Sequence, residues 1–189
     1  MEKAIFIDKD GTLIPNIPYN VSPDLIRIES NALDGLKQLK ANGYLLIIIS
    51  NQAGIALGKF KIESLNGVEH KIRILLSEEN IHLDGFYYCP HHPEGTLEEY
   101  RLDCLCRKPK PGMILKAAEE LGIDLIGSWI IGDILHDIEA GNRAGCKTIL
   151  IDKGNETEWL INDLREPDFT VSNINQAAEY ILYKTDDSI

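Results

Sequence analysis

Unbroken apolar runs recur along the chain at 4–7, 44–49 and 129–131, the last preceded by Ser128, with another inside 147–152. Runs of this length without alternation mark strands buried on both faces of a parallel sheet. Two shorter stretches, 83–88 and 168–171, predict further strands. Between the strands the apolar residues fall at helical spacing: Leu33, Leu36 and Leu39 within 31–42, and Ile62, Leu65, Val68, Ile72 and Leu75-Leu76 within 61–80. Further helices are expected at 113–121, 137–144 and 173–184, the last few residues of the chain being frayed. Asn42-Gly43, Gly122 and Gly145 stop three of these helices, and Pro111 opens one at its N1 position. Strands alternating with helices predict an α/β doubly wound parallel sheet, with its active site outside the carboxyl ends of the strands. One domain over 1–189 accommodates all of it.

Two stretches interrupt the pattern. Pro15 and Pro18 forbid a regular helix over 13–21, which becomes a loop beside the first strand. Asn16 and Tyr19 in that loop are placed either to contact a substrate hydroxyl or to pack the turn. The segment 89–110 is too long for a routine connection.

Chemistry gathers at the strand ends. The first strand runs into Asp8-Lys9-Asp10-Gly11-Thr12. Residues i and i+2 at a strand end point the same way, so Asp8 and Asp10 can face one site. Close carboxylates repel, and an oxygen-only pair is relieved by Mg²⁺. The second strand ends in Ser50-Asn51-Gln52, a hydroxyl and two amides suited to an anion or, for Ser50, to a helix cap. The fourth ends in Gly132-Asp133, with Asp137 one helical turn on.

Composition narrows the partners. A net charge of −11 argues against a nucleic-acid binder, because phosphate backbones need a basic surface. Positive charge is gathered locally at Arg107-Lys108-Pro109-Lys110, where an anionic small molecule can be met. No apolar run is long enough to span a membrane, and no secretory signal is read at the start of the chain. A cytoplasmic, monomeric enzyme is the expectation.

Three of the four cysteines lie in the long irregular segment, as Cys89-x-His91 and Cys104-x-Cys106. Three thiolates and one imidazole make a closed tetrahedral Zn²⁺ set with no open position, hence a structural metal. Spacing does not separate His91 from His92 as the fourth ligand. Cys146 has no partner in the pattern and is expected in the core. Pinning this loop would fix where Arg107 and Lys108 point.

Together these parts describe phosphoryl transfer. Asp8 attacks phosphorus and carries an aspartyl-phosphate, while Asp10 serves as general acid and then base. Ser50 and Lys108 stabilise the phosphoryl oxygens, and Asp8, Asp10 and Asp133 hold Mg²⁺, with Asp137 behind.

The four elements, in this order over about residues 4–152, resemble the motifs of the haloacid-dehalogenase phosphatase superfamily. Within it, Ser50-Asn51-Gln52-Ala53-Gly54-Ile55-Ala56, Tyr87-Tyr88-Cys89-Pro90-His91-His92-Pro93 and Cys104-Leu105-Cys106-Arg107-Lys108-Pro109 resemble the D-glycero-D-manno-heptose 1,7-bisphosphate 7-phosphatases. That resemblance implies an uncapped Mg²⁺ enzyme with a zinc-stapled loop, acting on a precursor of lipopolysaccharide or related glycans. It implies substrate recognition by Arg107 and sugar contacts at Asn16, Ile17, Pro18 and Tyr19. The chain departs from the pattern at Ile134 and Leu57, where the family usually carries basic residues, and at Asn16, where it carries aspartate. The histidinol-phosphate phosphatases share the zinc loop and the four motifs, and are the second reading.

Overall fold

The computed structural model describes residues 1–184. Six strands form one sheet: β1 (Lys3–Asp8), β2 (Tyr44–Asn51), β3 (Gly85–Cys89), β4 (Trp129–Gly132), β5 (Lys147–Ile151) and β6 (Phe169–Val171). Their spatial order is β3-β2-β1-β4-β5-β6, and every adjacent pair is parallel. The expected α/β doubly wound sheet is therefore present.

The apolar runs are continuous because each strand feeds two cores. Ile5, Ile7, Leu46, Ile48 and Ile131 point to one face, against Leu36 and Leu39 of α1 (Leu33–Ala41), Leu65, Val68 and Ile72 of α3 (Ser64–Ser77), and Ile174 and Ala177 of α6 (Ile174–Glu179). Ala4, Phe6, Ile47, Ile49 and Ile130 point to the other, against Met113, Ile114 and Ala117 of α4 (Gly112–Leu121) and Ala140 of α5 (Leu135–Ala144). Cys146 lies in this second core, as expected.

Several element boundaries differ from the sequence pattern: α3 is shorter than 61–80 at both ends, and β3 runs Gly85–Cys89 instead of 83–88. Pro111 is the N-cap of α4, not its first helical residue, and Gly112 follows it because the turn brings that position against Leu105. The helix expected from 137 starts at Leu135, where the Glu156 carboxylate accepts from the Leu135 N–H at 2.6 Å and supplies one partner for an otherwise open helix start. The helix expected over 173–184 is α-helical only to Glu179 and continues as a wider π turn through Tyr180–Lys184. Its expected frayed end lies outside the described residues. A one-turn helix, α2 (Ala53–Ala56), follows β2, and its N-cap is Gln52, not Ser50.

The chain runs outward from β1 through β2 to β3, crosses back, and continues outward through β4, β5 and β6. The reversal falls between β1 and β4. Connections leaving their carboxyl ends diverge there, which opens a crevice. Asp8 is the last residue of β1, and Asp133 directly follows β4.

Candidate active site

Asp8, Asp133 and Asp137 converge at the crevice: each offers a carboxylate oxygen within 4.8 Å of the others, and all three are buried. Asp137 reaches the site from the first turn of α5, where it also accepts from the Ile134 N–H at 3.3 Å. Lys108 enters from across the sheet. Its Nζ lies 2.5 Å from Asp8 Oδ1 and 2.6 Å from Asp137 Oδ1. Among the described residues Asp137 Oδ1 is the one buried side-chain polar atom without a hydrogen bond, its close contact being the Lys108 ammonium.

Burial pushes the Asp8 pKa well above the usual carboxylate range; Lys108 pulls it down, and Asp137, Asp133 and Asp10 push it further up. Burial, then Asp137, lifts Asp133 to about 6 against the bonds it receives from Asn155 and Thr12. Burial acts to depress Lys108, but the charges of Asp137 and Asp8 outweigh it and hold this ammonium above its ordinary range. Three carboxylates facing one ammonium leave excess negative charge in a desolvated space. The donor set is all oxygen. These properties fit a hard divalent cation such as Mg²⁺.

The structure places the other predicted residues as follows. The Asp10 carboxylate is not one of the converging three; it accepts from Lys9 Nζ at 2.6 Å and from Gln52 Nε2 at 3.2 Å. Gln52 also donates to Ser50 Oγ at 2.6 Å. Asn51 grips the Lys108 backbone with both ends of its amide: Nδ2 donates to the Lys108 carbonyl at 3.0 Å and Oδ1 accepts from the Lys108 N–H at 3.0 Å. Arg107 donates to the His91 carbonyl at 3.3 Å. Asn16 and Tyr19 line a cleft of about 220 Å³ together with Asp10, Asn51, Gln52 and Phe60.

Two side chains that pattern reading did not single out steady Asp133. Thr12 Oγ1 donates to its Oδ1 at 3.1 Å, and Asn155 Nδ2 to its Oδ2 at 2.7 Å. Thr12 stood inside the first motif and could have been found there. Asn155 lies 22 residues beyond Asp133 on the loop after β5, and nothing in the sequence marks it.

The second donor cluster lies in the long segment after β3. Sγ of Cys89, Cys104 and Cys106 are 3.0–3.3 Å apart, and His91 Nδ1 is 3.4 Å from Cys106 Sγ and 3.8 Å from Cys89 Sγ. The cysteines are free thiols. Hydrogen bonding from Cys89 lowers the Cys106 pKa to about 5. Three soft sulfurs and an imidazole around one point fit Zn²⁺, and it is His91 that joins them. With Zn–S bonds of about 2.3 Å a regular tetrahedron needs sulfurs about 3.8 Å apart, so the thiols would move outward slightly on binding. Lys108 follows Cys106 by two residues, which ties the cation's position to this cluster.

Comparison with known proteins agrees with this architecture. The HAD-hydrolase-like family model matches residues 105–177. With the fold and the donor set this defines the class: a phosphoric monoester hydrolase of the haloacid-dehalogenase type. The chain is 37% identical over 172 residues to the D-glycero-beta-D-manno-heptose-1,7-bisphosphate 7-phosphatase of Salmonella typhi, covering 86% of this chain and 92% of that one. It is 44% identical over 155 residues to the enzyme of the same name from Pasteurella multocida, covering 82% and 84%. The crystal structure of D,D-heptose 1,7-bisphosphate phosphatase from B. bronchiseptica, complexed with magnesium and phosphate, superposes with a TM-score of 0.83 at 30% identity, covering 96% of this chain and 99% of that one. The chain belongs to the heptose-bisphosphate phosphatase family of the haloacid-dehalogenase superfamily.

Proposed function

We propose that this enzyme removes the 7-phosphate of D-glycero-D-manno-heptose 1,7-bisphosphate through an aspartyl-phosphate on Asp8. The observation that carries the substrate is the 37–44% identity, over more than four-fifths of the chain, to enzymes bearing that name. The cleft beside Asp10, bounded by Asn16, Tyr19 and Phe60, has room for a sugar outside the acidic crevice and supports the same reading.

Asp8 attacks phosphorus in line, and the bond from phosphorus to the sugar oxygen breaks. Asp10, at the border of crevice and cleft, gives its proton to the departing alkoxide. It then takes a proton from the water that hydrolyses the aspartyl-phosphate, which returns Asp8 and releases phosphate. Lys108 and the Ser50 hydroxyl face the phosphoryl oxygens. Asn51 holds the Lys108 backbone and so positions that cation. Asp8, Asp133 and Asp137, with the Asp10 carbonyl, would hold Mg²⁺, whose positive charge would offset that of the phosphoryl group. Arg107 recognises the far end of the substrate. Cys89, His91, Cys104 and Cys106 hold Zn²⁺ in a structural role. No helix among the described residues is long and apolar enough to cross a membrane, and we place the reaction in the cytoplasm.

The test is a panel of both heptose 1,7-bisphosphate anomers, heptose 7-phosphate and histidinol phosphate. A heptose bisphosphate should give the highest kcat/KM, and Asp8→Asn should lose turnover by about 10⁴-fold or more. Faster turnover of histidinol phosphate would overturn the substrate, and near-native turnover by Asp8→Asn would remove the covalent step.

A further inference from the structure

Lys9 is a charged side chain without a role in the steps above, and it is 1% exposed. A lysine is rarely buried unless its charge is paired. Among the described residues its one ion-pair partner is Asp10, at 2.6 Å. A merely structural pair would be expected to bury both ends, yet the Asp10 side chain is 30% exposed and borders the substrate cleft. The other carboxylate oxygen of Asp10 accepts from Gln52, itself 6% exposed. Asp10 is thus gripped on Oδ1 and on Oδ2 by two different buried donors.

The Gln52 amide has two N–H bonds, and the structure uses both. One goes to Asp10 Oδ2 and the other to Ser50 Oγ. Turning the amide over would set its carbonyl against a carboxylate, so the network fixes this orientation. A serine hydroxyl that accepts from Gln52 still has its own proton to give, and the phosphoryl site is where it can go. One buried amide therefore sets both the aspartate that handles the leaving group and the hydroxyl that faces the phosphoryl oxygens.

We infer that Lys9 and Gln52 are positioning residues, a two-sided clamp that holds Asp10 toward the leaving oxygen. An unclamped aspartate at a solvent border samples several rotamers, and small misplacement of a proton donor is costly to proton transfer. The inference rests on the reading of Asp10 as the general acid.

The experiment measures release of the leaving group with enzyme in excess, which isolates the first transfer. It uses two esters: the sugar phosphate turned over fastest in the panel above, and p-nitrophenyl phosphate, whose leaving group needs little protonation. Lys9→Met and Gln52→Met should slow release from the sugar phosphate by about a hundredfold, and from the aryl ester at least tenfold less. Lys9→Arg, which keeps a cation, should recover most of the loss. Asp10→Asn is the reference. If Asp10→Asn affects both esters equally, the acid role fails and the clamp with it. If Asp10→Asn discriminates between the esters while Lys9→Met and Gln52→Met do not, the clamp alone is overturned. Thermal melts accompany each variant, and should Lys9→Met not fold, Gln52→Met decides.

Discussion

Gly11 and Gly132 sit where the carboxylates crowd most. A Cβ on Gly11, whose φ is +92°, would lie 2.1 Å from Asp133 Oδ2, and one on Gly132 would lie 2.2 Å from Asp137 Cβ. Neither position has space for a side chain while the aspartates keep their places. Gly132→Ala should lower stability by about 1–3 kcal/mol in urea unfolding, because Asp137 must shift. Asn155 acts at the same scale by holding one oxygen of Asp133. In Asn155→Ala the Mg²⁺ concentration for half-maximal activity should rise about 10–100-fold, with the melting temperature changed far less. An unchanged requirement would mean that Thr12 alone suffices to orient Asp133. Asp8, Asp10 and Asp133 could be read from the chain because their strand-end positions follow from short-range pattern. Lys9 and Asn155 could not: their partners depend on which side chains the folded loops bring within bonding distance.

The element that most controls the site is the loop between β3 and α4. It has little core of its own and is tied down at three points: the Cys89, His91, Cys104 and Cys106 cluster, the Asn51 grip on Lys108, and the Thr96 and Leu97 N–H groups, which donate to the Ala56 carbonyl at 2.8 and 3.0 Å. Freshly purified protein should contain about one zinc per chain by elemental analysis. Cys104→Ser should lose that zinc, melt at lower temperature, and lose turnover by about a hundredfold or more as Lys108 drifts from Asp8. Cys146 is distinct. Burial pushes its pKa to about 12, and it packs in the core. A thiol reagent applied after zinc chelation should modify the three loop cysteines and spare Cys146 until the protein unfolds. The loop's unusual length and its C-x-H and C-x-C spacing were visible in the chain. Its docking on α2 was not, because α2 is a single turn too short to show helical periodicity.

At the scale of the molecule, the sheet is held by two cores that share the same strands. Phe6 is fully buried on the side of α4 and α5. Phe6→Ala should cost about 3–5 kcal/mol by denaturant unfolding, since the packed helices can only partly close the cavity. The sequence alone determined the α/β alternation, the strand-end aspartates and the three cysteines of the long loop, because these arise from periodicity and spacing within short windows; that Asp137 rather than the Asp10 carboxylate joins Asp8 and Asp133, and that His91 rather than His92 joins the cysteines, came from the fold. The tertiary structure alone decided the strand order. Parallel strands with near-uniform apolar composition carry no local label for their neighbours, and the reversal between β1 and β4 is set by how the helices divide between the two faces. That reversal brings together Asp8, Lys108, Asp133 and Asp137, and it leaves Asp10 to the separate grip of Lys9 and Gln52.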